Sequence, residues 1–294
     1  MTGPSTYVLT LIVEREATSL DPALVGRVRE ALGGGEPRVL SAGEAVDLPL
    51  VAMPSREAVA AALGGTAVDA IAQPTAGRRK QLLLADMDST IVTTETLDEL
   101  AAYAGLKEEI AAITRRSMNG EIDFREALRE RVAMLKGLAL SALEATWERT
   151  EYMQGARELI ATMRAHGATT ALVSGGFTFF TGRVAAELGF HHHRSNVLLH
   201  DGERLTGEVA EPILDRDAKL SSLRELAAGL GIGLAATAAV GDGANDLAML
   251  RAAGLRVAFR AKPVVAAEAR AELRHAGLRG VLFAQGYRAE EISA

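Results

Sequence analysis

Leu82, Leu83, Leu84 and Ala85 form an unbroken apolar run that ends in Asp86-Met87-Asp88. A short run of aliphatics without polar alternation predicts a strand buried on both faces, and such strands belong to parallel sheets covered by helices. Two carboxylates one residue apart at the end of that strand repel each other, so their position there calls for an offsetting charge. The feature therefore asks for an α/β sheet whose strand ends gather around a cation. In such sheets ligands bind beyond the carboxyl ends of the strands.

Two more predicted strands end in polar clusters. After Gly155 the chain reads as a helix to His166 with Gly167 as its stop, then the strand ATTALV running into Ser174-Gly175-Gly176-Phe177. RSNVLLHDGERLTGEV reads as a hairpin turning at Asp201-Gly202. A helix over about 219–228 leads to a strand over 236–240 that ends in GDGAND, 241–246. Another helix, a strand over 256–259 and a last strand near 281–283 complete the expected sheet.

The remaining segments read differently. Residues of about 95–150 carry apolar positions at three- and four-residue spacing, so this stretch is largely helical. Within it, DFREALRERVAML starts with Asp123 as an N-cap and sets Phe124, Leu128 and Val132 on one face. Residues 1–76 read as strand 7–13, helix 22–32, strands 37–40 and 47–53, and helix 56–63. That is a small α+β unit with no histidine and no catalytic-looking cluster. QPTAGRRK, 73–80, reads as a linker into a second unit over 77–294.

Composition closes several routes. The absence of cysteine excludes disulfides, thiol catalysis and zinc–thiolate sites. A net charge of −6 without a long basic block argues against nucleic acid as a partner. The apolar stretch near the N-terminus begins without basic residues and stops at Glu14, unlike a signal peptide. The longest uncharged segment, 227–241, is too short for a membrane span and is broken by glycines. A cytoplasmic protein is the expectation.

If the three strand ends are neighbours, their clusters meet in one crevice. Magnesium suits such a site, because it takes oxygen ligands and leaves room for a substrate phosphate. Gly175 and Gly176 let backbone N–H groups turn toward an anion, Ser174 adds a hydroxyl, and Lys219 adds positive charge. Asp86 then stays ionised and can attack phosphorus, while Asp88 moves the proton. Each motif alone has an ordinary structural reading as a strand end, a turn or a helix start. Together, in this order and with a lysine between the last two, they point to phosphoryl transfer.

These residues resemble the haloacid dehalogenase superfamily of phosphohydrolases over about residues 81–290. DMDST is similar to its first motif, VSGG to its second, Lys219 to its third and GDGAND to its fourth. Within that superfamily the chain resembles the phosphoserine phosphatase family, through DMDSTIVTTETLDELA, DFREALRERVAML, LTGEV and VSGGFT. The resemblance implies a parallel-sheet core with a helical cap over about 94–152. It implies Asp86 as nucleophile, Asp88 as proton donor, and magnesium held by the Asp86 side chain, the Asp88 carbonyl and Asp242, with Asp246 supporting. It implies Ser174, Gly175, Lys219 and Asn245 on the phosphate, Glu95 on the substrate ammonium, and Phe124 and Arg131 closing over the substrate, with Arg131 on the carboxylate.

The charged pair also makes sense from the residues. A free amino acid presents one cation and one anion, so a selective pocket needs one group of each sign, and a guanidinium grips a carboxylate through two hydrogen bonds. Read locally, Arg131 is an exposed helix charge and Glu95 an acid at a helix start. The expected reaction is hydrolysis of phosphoserine. The alternatives are transfer of the phosphoryl group to another hydroxyl acceptor, or an amino-acid sensor working through the N-terminal unit. That unit resembles ACT-like regulatory modules, which implies pairing into a homodimer or amino-acid binding. His191, His192 and His193 are adjacent, so in an extended chain they point to opposite sides, which favours a polar, partly exposed stretch of strand over a metal site.

Overall fold

The computed structural model describes residues 6–118, 121–268 and 271–294, so the first five residues of the expected N-terminal unit lie outside it. The chain opens with β1 (Tyr7–Ile12), α1 (Pro22–Leu32), β2 (Arg38–Ser41), β3 (Ala45–Leu50), α2 (Arg56–Leu63) and β4 (Asp69–Pro74). It continues with β5 (Leu82–Ala85) and four helices, α3 (Thr96–Tyr103), α4 (Lys107–Met118), α5 (Phe124–Met134) and α6 (Ser141–Glu148). Next come α7 (Ala156–Ala165), β6 (Thr169–Phe177), α8 (Thr178–Leu188), β7 (His192–Asn196), β8 (Leu198–His200), β9 (Leu205–Val209) and α9 (Arg216–Gly229). The last elements are β10 (Thr237–Gly241), α10 (Leu247–Ala252), β11 (Leu255–Phe259), α11 (Pro263–Glu268), β12 (Ala271–Leu273) and α12 (Arg279–Ala284). None of the described helices is long and apolar enough to cross a membrane.

Six parallel strands form the main sheet in the order β12-β11-β10-β5-β6-β7. β5 lies between β6 and β10, and every residue from Leu82 to Ala85 is fully buried. The chain leaves β5 toward β6 and β7, then returns to its other side at β10. This reversal of direction beside β5 is the topological switch at which open α/β sheets form a crevice. The expected α/β parallel sheet is therefore present, with β5 between the two strands whose ends carry the other clusters.

The N-terminal strands form a separate antiparallel sheet in the order β2-β3-β1-β4. Leu9, Leu11 and Leu48 pack under α1, while Ile12, Leu40, Ala45 and Ile71 join the core of the main sheet. Both faces of this small sheet are thus covered.

Several expectations need correction. The segment 73–80 is not a free linker. Gln73 and Pro74 finish β4, a strand the sequence reading lacked. Arg78 is held by Asp47 through two short ion-paired hydrogen bonds, 2.6 and 3.0 Å, and also donates to the carbonyls of Phe283 and Ala284. The expected strand near 281–283 is helix α12, and the sheet's outer strand is β12 instead. Gly280 to Ala284 are all buried, so a helix enclosed on all sides shows the same unbroken apolar run as a buried strand. In the expected hairpin, β8 and β9 pair across the turn at Asp201, but Arg194 to Asn196 belong to β7 in the main sheet. His192 and His193 lie on that strand, His191 Nδ1 accepts from the Thr170 amide, and no histidine joins a metal-binding group among the described residues.

Candidate active site

The carboxyl ends of β5, β6 and β10 meet at one cleft of about 140 Å³. Its walls include Asp86, Asp88, Glu95, Phe124, Arg131, Ser174, Gly175, Asp242 and Asn245. Lys219 and Asp246 stand behind this wall, fully buried.

Lys219 organises the floor. Its ammonium lies 2.7 Å from Asp86 Oδ2 and 2.7 Å from Asp246 Oδ1. Burial alone would lower its pKa, but the carboxylates of Asp246 and Asp86 raise it, so the lysine is charged. α9 delivers this lysine because Asp215 caps the helix, accepting from the amides of Asp217 and Ala218. Asp246 also accepts from the Gly243 amide at 3.0 Å, so both of its oxygens are engaged. Burial and the nearby Asp86 push the Asp246 carboxyl up to about 7 despite these partners. A Cβ on Gly241 would overlap the Asp246 carboxylate, which explains a glycine at the end of β10.

Asp86 takes its second contact from the Met87 amide, 2.7 Å from Oδ1. Asp88 accepts from the Thr96 amide at 3.2 Å, and burial, then Glu95 and Asp86, raise its carboxyl well above the ordinary range. A protonated Asp88 is the form a proton donor needs. Asp242 is likewise raised, by burial and by Asp86. One oxygen each from Asp86, Asp242 and Asp246 lie within 4.8 Å of one another, three acids with a single buried lysine among them.

Opposite the floor, α5 contributes Phe124 and Arg131. Asp123 caps it by accepting from Arg125 N at 2.8 Å, as its sequence predicts. Arg131 touches the Ala127 carbonyl and the Thr114 hydroxyl, and its partial burial lowers its pKa. Glu95 sits at the rim, with Oε1 accepting from Ser89 Oγ at 2.7 Å. Partial desolvation by the neighbouring walls raises its carboxyl, and repulsion from Asp242 and Asp86 adds to this, although the side chain keeps contact with solvent. Ser174 accepts from the Gly176 amide at 2.9 Å, which leaves its own proton free to donate. A Cβ on Gly176 would lie 3.0 Å from Asp88 Oδ2, and one on Gly175 would press on the Phe124 ring at 3.4 Å.

The model of the haloacid dehalogenase-like hydrolase family matches residues 83–251, which hold all four clusters. The chain belongs to the haloacid dehalogenase-like hydrolases. A phosphoserine phosphatase of Archaeoglobus fulgidus is 44% identical over 200 residues, covering 67% of this chain and 58% of that protein. A phosphoserine phosphatase of Methanocaldococcus jannaschii is 39% identical over 205 residues, covering 70% of this chain and 97% of its own. The crystal structure of a haloacid dehalogenase family hydrolase from Salmonella enterica serovar Typhi superposes with a TM-score of 0.84 at 28% identity, over 95% of this chain and 98% of that one. Against the longer relatives, the Archaeoglobus protein among them, the chain spans between 54% and 59% of their length.

All eleven site residues expected from the sequence lie in the cleft or directly behind it. Lys262 is an addition. It follows β11, lines the cleft, donates its backbone amide to the Asp242 carbonyl at 3.1 Å, and its ammonium has no hydrogen bond or ion pair among the described residues. The strand-end rule could have found it, because β11 is the next strand out from β10. FRAKP lacks the paired acids or glycines that mark the other three ends.

Proposed function

We propose that this chain hydrolyses O-phospho-L-serine to L-serine and phosphate, the last step of serine biosynthesis, through an aspartyl phosphate on Asp86. The observation that carries the reading is that one cleft is lined by Asp86 and Asp88 and also by Glu95 and Arg131. A phosphate-handling floor thus shares its cleft with one acid and one guanidinium, the two signs that a free amino acid calls for. The names of the relatives support the same substrate.

In this reading Asp86 attacks phosphorus, its carboxylate held by Lys219 and the Met87 amide. Asp88 gives its proton to the serine oxygen as the ester bond breaks, then takes one from the water that cleaves the acyl phosphate. Ser174, Gly175 and Asn245 hold the phosphate oxygens with Lys219. Glu95 takes the ammonium and Arg131 the carboxylate, under Phe124. The α3–α6 segment acts as a cap that excludes water while the acyl phosphate exists.

Magnesium fits the donor set. The converging groups are all carboxylate oxygens, and their summed charge exceeds what one lysine offsets. Asp86, Asp242 and the Asp88 carbonyl would hold the ion, with Asp246 braced behind by Lys219 and the Gly243 amide. When bound it would supply positive charge to the phosphate oxygens. We also read the N-terminal unit as an ACT-like module for homodimer pairing or amino-acid binding, and the protein as cytoplasmic.

The test is a phosphate-release screen over small phosphorylated metabolites, with and without magnesium, including hydroxyl acceptors such as homoserine. Phosphoserine should lead, magnesium should be required, and Asp86→Asn should abolish release with an unchanged circular dichroism spectrum. Preference for a sugar phosphate would sink the substrate, and a new phosphorylated product formed at the expense of free phosphate would make the enzyme a transferase.

A further inference from the structure

Ser89 follows the proton donor directly and has φ 54°, one of two non-glycine residues in the left-handed region among the described residues. L-residues are disfavoured there, and a glycine would adopt this backbone without penalty. What a glycine would lack is the hydroxyl, and that hydroxyl donates to Glu95 Oε1 at 2.7 Å. The Ser89 amide in turn donates to the Thr94 carbonyl at 3.2 Å, closing the 89–94 loop on itself.

Glu95 needs such a hold. It stands at the N-cap of α3, yet its side chain makes no capping hydrogen bond, so the helix does not fix it. Asp242 and Asp86 repel it across the cleft, and Lys262, which attracts it, makes no hydrogen bond or ion pair with it among the described residues. The Ser89 hydroxyl is the hydrogen-bond donor found on its carboxylate. Thr94 and Thr96, on either side, have buried hydroxyls that make no hydrogen bond to Glu95 among the described residues, so neither substitutes for Ser89.

We propose that Ser89 is a positioning residue for amino-group selectivity: its hydroxyl, turned by the left-handed backbone, fixes the Glu95 carboxylate where the substrate ammonium is read. The inference rests on the phosphoserine reading of the cleft. Ser89 leaves one oxygen of Glu95 free for the ammonium and keeps the acid from swinging out of the rim.

The test compares phosphoserine with its deamino analogue, the phosphate ester of 3-hydroxypropanoate, in the wild type, Ser89→Ala and Ser89→Gly. Both variants remove the hydroxyl, and Ser89→Gly also relaxes the backbone, so it stays folded if the loop tolerates any change. The preference in kcat/KM for phosphoserine over the deamino ester should fall about tenfold in both variants, mainly through KM. A purely structural serine would lower both esters in parallel, and that result overturns the inference. If the wild type prefers phosphoserine and both variants keep the preference, the Ser89 role alone fails. If the wild type shows no preference, the reading of Glu95 fails and this inference falls with it.

Discussion

Replacing Lys219 with methionine tests the electrostatics of the floor most directly. Methionine keeps an unbranched apolar stem of similar length and removes the charge. The Lys219 side chain is 1% exposed and its ammonium bonds Asp86 and Asp246 at 2.7 Å each, so water screens neither contact. Without it three carboxylates face one another within 4.8 Å with no buried cation among them. Removing one partner of a buried ion pair costs about 3–5 kcal/mol. In a chain of this size that corresponds to a fall in melting temperature on the order of 10 °C. Turnover should fall about 10²–10³-fold, the usual loss when a preorganised charge beside the transferring group is removed.

A second substitution separates charge from shape. Lys219→Met with Asp246→Asn removes one of the stranded acids, so it should recover part of the lost stability while turnover stays low. Thermal unfolding followed by circular dichroism in a metal chelator, together with phosphate release in magnesium, reads both effects. The reasoning is refuted if the single variant melts within about 2 °C of the wild type, a shift of less than ~1 kcal/mol. It is refuted equally if the double variant is less stable than the single one, because the acids would then not be what Lys219 balances.

Gly241→Ala places a methyl in the volume of the Asp246 carboxylate, so it should cut turnover at least tenfold while Gly26→Ala, at a site with open space, leaves turnover intact. Arg78→Met breaks a pair in which both side chains are about nine-tenths buried, and should cost about 3–5 kcal/mol in thermal unfolding, against less than ~1 kcal/mol for the exposed Arg216→Met. Lys262→Gln removes an unpaired cation from a cleft rich in acids, so kcat/KM for phosphoserine should fall about tenfold at low salt and less at high salt; an equal loss at both would argue against an electrostatic role.

What could be read from sequence divides along a physical line. A strand buried on both faces has an unmistakable pattern, and polar clusters at such strand ends converge once the strands are neighbours, so the floor of the cleft was legible. β4 was not, because DAIAQP alternates weakly in burial and ends in proline. α12 was misread because enclosure on every side erases the helical period. Ser89 and Lys262 were missed for a different reason: a left-handed φ and a lone lysine leave no local signature.

The charges show what only folding supplies. Lys219, Arg131 and Lys262 are all cations in the sequence, yet Lys219 is already committed to Asp86 and Asp246. Arg131 hydrogen-bonds a carbonyl and a hydroxyl and feels Asp98 and Glu95 only at a distance, and Lys262 makes no hydrogen bond or ion pair through its ammonium among the described residues. The cleft therefore offers two cations without a direct ion pair among the described residues and, at its rim, one acid held in place by a hydroxyl. A ligand that matches this arrangement carries two anionic groups and one cationic group, as a phosphorylated amino acid does. A sugar phosphate brings no ammonium to Glu95, so it gains nothing from that acid, whereas the ammonium of a phosphorylated amino acid offsets the repulsion that Asp242 and Asp86 exert there.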